Sequence, residues 1–83
     1  MSYEVQIHKK AAKKFDALRD EDLKARLKEV FVLLSDPFSL DTVKLRGETK
    51  MYRTRIGKYR ILFILDNKIV NIFDFGTRGK IYK

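Results

Sequence analysis

Eighty-three residues with 19 Lys/Arg against 11 Asp/Glu leave room for one domain, spanning 1–83, at a formal net charge of +8. A chain this short buries only roughly 60–65% of the surface it exposes unfolded, and with no cysteine it has neither a disulfide staple nor thiolate metal ligands. No apolar run approaches the ~18 residues of a membrane span, and the first 14 residues are too polar for a signal peptide, so a soluble, cytoplasmic protein without membrane contact is expected.

The charge is one-sided. Residues 1–43 carry eight Lys/Arg and eight Asp/Glu, whereas residues 44–83 carry eleven and three. A surplus confined to one half points to a polyanion or an acidic partner, with nucleic acid the leading class.

Tyr3, Val5 and Ile7 alternate with polar neighbours, the pattern of a half-buried strand. From residue 9 the period changes. Ala11, Ala12, Phe15 and Leu18 share one side of a short helix, and Lys9, Lys10, Lys13 and Lys14 occupy the rest. Asp20-Glu21-Asp22 opens a second helix, with Asp20 as the cap and acids at the positive end of the dipole. Leu23, Leu27, Val30, Phe31 and Leu34 form its stripe, and Ser35-Asp36-Pro37 ends it.

Residues 38–43 read as a linker of no clear type. The stretch from Met51 to Phe63 reads as two strands around Gly57-Lys58, a two-residue type II′ loop with glycine at its first central position. That loop sets Ile56 opposite Tyr59, Arg55 opposite Arg60, Thr54 opposite Ile61 and Arg53 opposite Leu62. Arg53, Arg55 and Arg60 then share one face, and Tyr52, Thr54, Ile56, Tyr59, Ile61 and Phe63 the other. Ile61-Leu62-Phe63-Ile64-Leu65 is apolar on both faces and belongs in the middle of the sheet. Asp66-Asn67-Lys68 is a further turn, and residues 69–75 a further strand. The expected class is α+β, in the order β-α-α-β-β-β, with two helices packed on a small, mainly antiparallel sheet. Where the first strand docks is left open.

Absences narrow the chemistry. Only Glu48, Asp66 and Asp74 are acidic in the basic half, which leaves no ready pair of carboxylates for a metal or for acid–base work on sugars. His8, the one histidine, reads as a surface or capping residue, and no Ser-His or Cys-His dyad can be assembled. No cofactor and no metal are implied. What remains is an arginine cluster. Like charges set opposite one another on a sheet are unfavourable, whereas guanidinium is planar, permanently charged and bidentate to phosphate oxygens. Arg53, Arg55 and Arg60 together therefore suit a phosphodiester. Lys44 and Arg46 lead into their hairpin, and Arg78 and Tyr82 follow the last strand. RNA brings its own nucleophile, the 2′-hydroxyl, so orientation and charge stabilisation suffice for slow, metal-free cleavage. Arginine is a poor proton shuttle, which leaves Tyr82 the better candidate for that task.

Lys44-Leu45-Arg46-Gly47, the block Tyr52-Arg53-Thr54-Arg55-Ile56-Gly57-Lys58-Tyr59-Arg60-Ile61, then Gly76-Thr77-Arg78 and Tyr82, resemble the RelE/ParE superfamily of bacterial and archaeal toxins over nearly the whole chain. The resemblance implies a toxin of a type II toxin–antitoxin system, neutralised by a cognate RelB-like antitoxin in a hetero-oligomer and monomeric when alone. In the RelE branch it implies a ribosome-dependent mRNA interferase, cutting in the A site by 2′-hydroxyl attack to leave a 2′,3′-cyclic phosphate. The family's positions fall on Arg53 and Arg55 in the first hairpin strand and on Arg60 at the transition state. They fall on Arg78 near the scissile phosphate and on Tyr82, for base stacking or proton transfer. Lys44, Arg46, Lys50, Lys58 and Lys80 would touch ribosomal or messenger RNA. The sequence departs from RelE-type sites in carrying arginine where lysine stands at positions 53 and 55. The ParE branch, which shares the fold but poisons DNA gyrase, and a non-catalytic antitoxin-binding module are the alternatives.

Overall fold

In a computed structural model, residues 2–45, 47 and 50–77 are described. The chain runs β1 (Glu4–Ile7), α1 (Lys9–Asp16), α2 (Glu21–Leu33), a short 3-10 turn (Pro37–Ser39), β2 (Asp41–Lys44), β3 (Met51–Ile56), β4 (Tyr59–Asp66) and β5 (Ile69–Thr77). Both helix starts follow from their caps. His8 is the cap of α1, its Nδ1 accepting from the Lys10 amide at 3.1 Å, and the Asp20 carboxylate accepts from the Leu23 amide at 3.1 Å.

The strands form one sheet in the order β1-β5-β4-β3-β2. Two features lie outside the sequence reading. The linker at 38–43 contains a strand: β2 pairs antiparallel with β3, making five strands rather than four. Its Asp-Thr-Val-Lys alternation was too short to stand out. β1 docks parallel to β5, a long-range choice that no local pattern encodes.

The hairpin register is the one the two-residue loop requires, from Met51 opposite Ile64 to Ile56 opposite Tyr59. Gly57 takes φ of +57°, the left-handed value that its turn position needs. The next turn uses Asn67 and Lys68, both at positive φ, to join β4 to β5. In β5 an extra residue interrupts the ladder, because Phe63 faces Ile72 while Leu62 faces Asp74. This bulge lets Ile72 and Phe75, three positions apart, both enter the core.

One face of the sheet carries the core. Ala11, Leu27, Val30, Phe31 and Leu34 from the helices pack on Tyr59, Ile61, Phe63, Val70, Ile72 and Phe75. Tyr52 stacks on Phe63 with ring centroids 5.5 Å apart and 11° between planes. Thr54, fully buried on this face, is satisfied by the Thr42 hydroxyl at 2.7 Å, and Thr42 reaches the Pro37 carbonyl at 2.6 Å. β4 lies third of five and buries Ile61, Leu62 and Phe63 in succession, as a strand apolar on both faces should. None of the described helices is longer than 13 residues, and none is long and apolar enough to cross a membrane.

Candidate functional site

The site is the face of the sheet turned away from the helices. Thr54, Ile61 and Phe63 point into the core, so their alternating neighbours Arg53, Arg55, Arg60, Leu62 and Ile64 stand on the other side. Arg55 and Arg60 are direct cross-strand partners, and Arg53 sits one row further along, opposite Leu62. The hairpin thus brings the three arginines onto one surface, where repulsion between them calls for an anion.

Their surroundings differ. Arg55 is half-exposed and engages Asp41, its register partner on β2, through Nη2 at 3.1 Å and Nε at 3.2 Å from Oδ2. This carboxylate is not one of the three acids of the basic half; it lies in the segment read as a linker. Arg53 is more enclosed, and its Nη1 is buried with no hydrogen-bond partner among the described residues. Arg60 is half-buried opposite Gly76, near the end of β5.

The end of β5 is held from the side by α1. Lys14 Nζ donates to Asp74 Oδ1 at 3.0 Å and to the Phe75 carbonyl at 2.5 Å, while Lys10 Nζ lies 3.8 Å from Asp74 Oδ2. Asp74 Oδ1 also accepts from the Phe75 amide at 2.8 Å. The strand that leads to Arg78 is therefore anchored just after its bulge.

Other candidates separate from this surface. Lys44 pairs with Tyr52 and so stands on the helix side. Lys50 lies 3.3 Å from Asp66, at the opposite end of the hairpin from the arginines. Lys58 occupies the hairpin tip and turns towards the start of α2, lining a polar pocket with Asp20, Asp22 and Arg26. Arg46, Arg78, Lys80 and Tyr82 lie outside the described residues. Two polar residues had not been singled out. Asp41 becomes visible only once β2 is assigned. Asn71 has a buried, unpartnered Oδ1, and the signal for it was a lone amide in the run Ile69-Val70-Asn71-Ile72-Phe73.

Chemically, the face offers permanent positive charge beside apolar surface, and among the described residues no group of three or more His, Asp or Glu converges. Such a surface can bind and polarise a phosphodiester; the arginines are unsuited to moving a proton.

Comparison with known proteins gives a consistent picture. Residues 5–82 match the family model described as the ParE toxin of the type II toxin–antitoxin system parDE. A Methanocaldococcus jannaschii protein assigned as toxin RelE1 is 31% identical over 88 residues, covering 100% of this chain and 98% of its own length. Among solved structures, the archaeal RelE–RelB complex from Pyrococcus horikoshii OT3 is similar at TM-score 0.69 and 28% identity, covering 96% of this chain and 99% of its own. The Mycobacterium tuberculosis RelBE2 complex superposes at TM-score 0.78 and 24% identity, a likeness of fold, covering 94% and 100%.

Proposed function

The chain belongs to the RelE/ParE superfamily as a RelE-like toxin of the type II toxin–antitoxin class, and from that premise we propose that it is a ribosome-dependent endoribonuclease cutting mRNA in the A site. The observation that carries this reading is the buried, unpartnered Nη1 of Arg53 on a face shared with Arg55 and Arg60. A buried guanidinium N–H without an acceptor is unfavourable, and a phosphate oxygen would supply what is missing.

In the proposed reaction the RNA 2′-oxygen attacks phosphorus, the bond to the 5′-oxygen breaks, and a 2′,3′-cyclic phosphate remains. The 2′-hydroxyl loses its proton and the departing 5′-oxygen takes one up. Arg53 and Arg55 would orient the phosphate, and Arg60 would stabilise the extra charge that builds on its oxygens. Arg78 and Tyr82 are assigned to the leaving-group side and to base stacking or proton transfer through the family resemblance. The ribosome would hold the messenger in line, which compensates for the lack of a strong base on this face.

A cognate RelB-like antitoxin is proposed as the cytoplasmic partner, since several structural neighbours are toxin–antitoxin complexes. The basic surplus of residues 44–83 favours an acidic segment that folds as it binds, with affinity falling as salt rises. Affinity indifferent to salt would point to an apolar interface instead. The family match to ParE favours a second reading, gyrase poisoning without RNA cleavage.

Primer extension on mRNA in a translating extract separates the two. A-site cuts that appear with the protein, and disappear with a folded Arg60→Ala variant, support the nuclease. Intact mRNA together with DNA-damage signalling on induced expression would overturn it in favour of the gyrase reading. Full toxicity of Arg60→Ala would remove that residue from the site.

A further inference from the structure

Beside the arginines lies an apolar strip that phosphate binding does not use. The register sets Met51, Ile64 and Asn71 in one row across β3, β4 and β5, with Arg53, Leu62 and Asp74 in the next, where Asp74 is drawn to Lys14 and Lys10 at the strand's side. Met51 and Ile64 are half-buried, and Leu62 is 9% exposed although the helices pack on the opposite face. At the far side of the strip the buried Asn71 Oδ1 has no hydrogen-bond partner among the described residues. An acceptor left open in this way is unfavourable. By register Asn71 lies on the same face of the sheet as Arg53. One face thus holds an unmet donor for an anion and an unmet acceptor, with aliphatic surface between them.

We propose that the strip seats a nucleobase of the RNA strand whose phosphate is held at Arg53, and that Asn71 Oδ1 accepts a hydrogen bond from that base's exocyclic amine. This rests on the RNA-cleaving reading above and adds a base preference to it. With strands ~4.8 Å apart and alternate residues ~6.8 Å apart along a strand, the Cα atoms of Arg53 and Asn71 are separated by about 12 Å. A phosphate, ribose and base laid across β4 bridge that gap once the two side chains' own reach is subtracted. The half-buried Met51 and Ile64 supply the apolar surface, with the buried Leu62 beside them, and unstacked single-stranded bases are bound in this manner, against side chains and by hydrogen bonds to their edges. An acceptor at Asn71 selects among bases. Adenine and cytosine present an amine at the edge position where guanine and uracil present a carbonyl, and a carbonyl there would meet another acceptor.

The test is equilibrium binding of the full chain to labelled oligoribonucleotides six bases long, made of A, C, U or inosine and measured by fluorescence anisotropy at one low salt concentration. Oligo(A) and oligo(C) are expected to bind about tenfold more tightly than oligo(U), the worth of one hydrogen bond at ~1.4 kcal/mol per tenfold. Oligo(I), which replaces the adenine amine by a carbonyl, should fall to the oligo(U) value; this comparison needs no variant. Asn71→Leu should bring the A-to-U ratio close to one, whereas Asn71→Asp, which keeps the acceptor, should retain it at lower overall affinity. Equal affinity for all four oligomers, or oligo(I) matching oligo(A), overturns the base seat whatever the primer-extension result. Loss of A-site cutting with the A-to-U ratio intact would count against the nuclease reading alone.

Discussion

The two faces of the sheet treat polar atoms in opposite ways. On the helix side the fully buried Thr54 is tied into a relay. Thr42 spends its one hydroxyl proton on the Pro37 carbonyl, so the Thr54 hydroxyl donates to Thr42. The one loose end there is the buried hydroxyl of Tyr59, which has no partner among the described residues. On the open side, Arg53 Nη1 and Asn71 Oδ1 have no partner among the described residues, on the face that also carries Arg55 and Arg60. The first face is organised by apolar burial, which satisfies itself within the chain. The second holds groups that the other described residues leave without partners, which suits a binding surface. An orphaned atom on the core side should therefore be dispensable, and one on the open side should matter to function.

Substitutions can break or sharpen that contrast. The largest expected effect is Phe63→Ala, which empties a fully buried site under the Tyr52 ring. Urea unfolding should show a loss of about 3–5 kcal/mol, and a small loss would mean that the core is not centred on β4. Thr42→Val should cost about 1–3 kcal/mol, because it strands the buried Thr54 hydroxyl, while the Pro37 carbonyl keeps the Leu40 amide at 3.2 Å. Thr54→Val should cost less, since Thr42 keeps its bond to Pro37; equal costs would contradict the direction of the relay. Tyr59→Phe should be neutral or stabilising by up to about 1 kcal/mol, because the hydroxyl it removes is buried and unpaired. A clear destabilisation in a thermal melt would reveal a partner for that hydroxyl. The smallest change in stability, under about 0.5 kcal/mol, is expected for Asp41→Asn at its half-exposed ion pair. The same variant releases Arg55 and should tighten binding of a short oligoribonucleotide about two- to fivefold at low salt. Unchanged or weaker binding would show that Arg55 does not face RNA.

Much of this was legible locally. The glycine of the 57–58 loop fixed the hairpin register, and with it the shared face of the arginines, because a two-residue loop allows one pairing. Asp20 announced its helix by residue type and position, and His8, expected as a surface or capping residue, caps α1. What stayed hidden depends on contacts far apart in sequence. The parallel seat of β1 beside β5 is chosen by the finished sheet, and β2 is four residues long with its sides set by pairing to β3. Asp41 was hidden with β2, so the difference between Arg55 and Arg53 could not be read beforehand. The role of Asn71 was equally obscure, since an amide within an apolar run is remarkable only once its burial is known.

The contrast between the faces rests most heavily on Arg53. The decisive measurement pairs RNA cleavage in a translating extract with a thermal melt of the same Arg53→Ala preparation. Cleavage should fall by about a hundredfold or more, while the melting temperature stays level or rises because a buried N–H without an acceptor among the described residues has been removed. A folded variant that cuts mRNA at the wild-type rate, or one whose melting temperature collapses, would contradict the account by showing that this side chain serves something other than RNA.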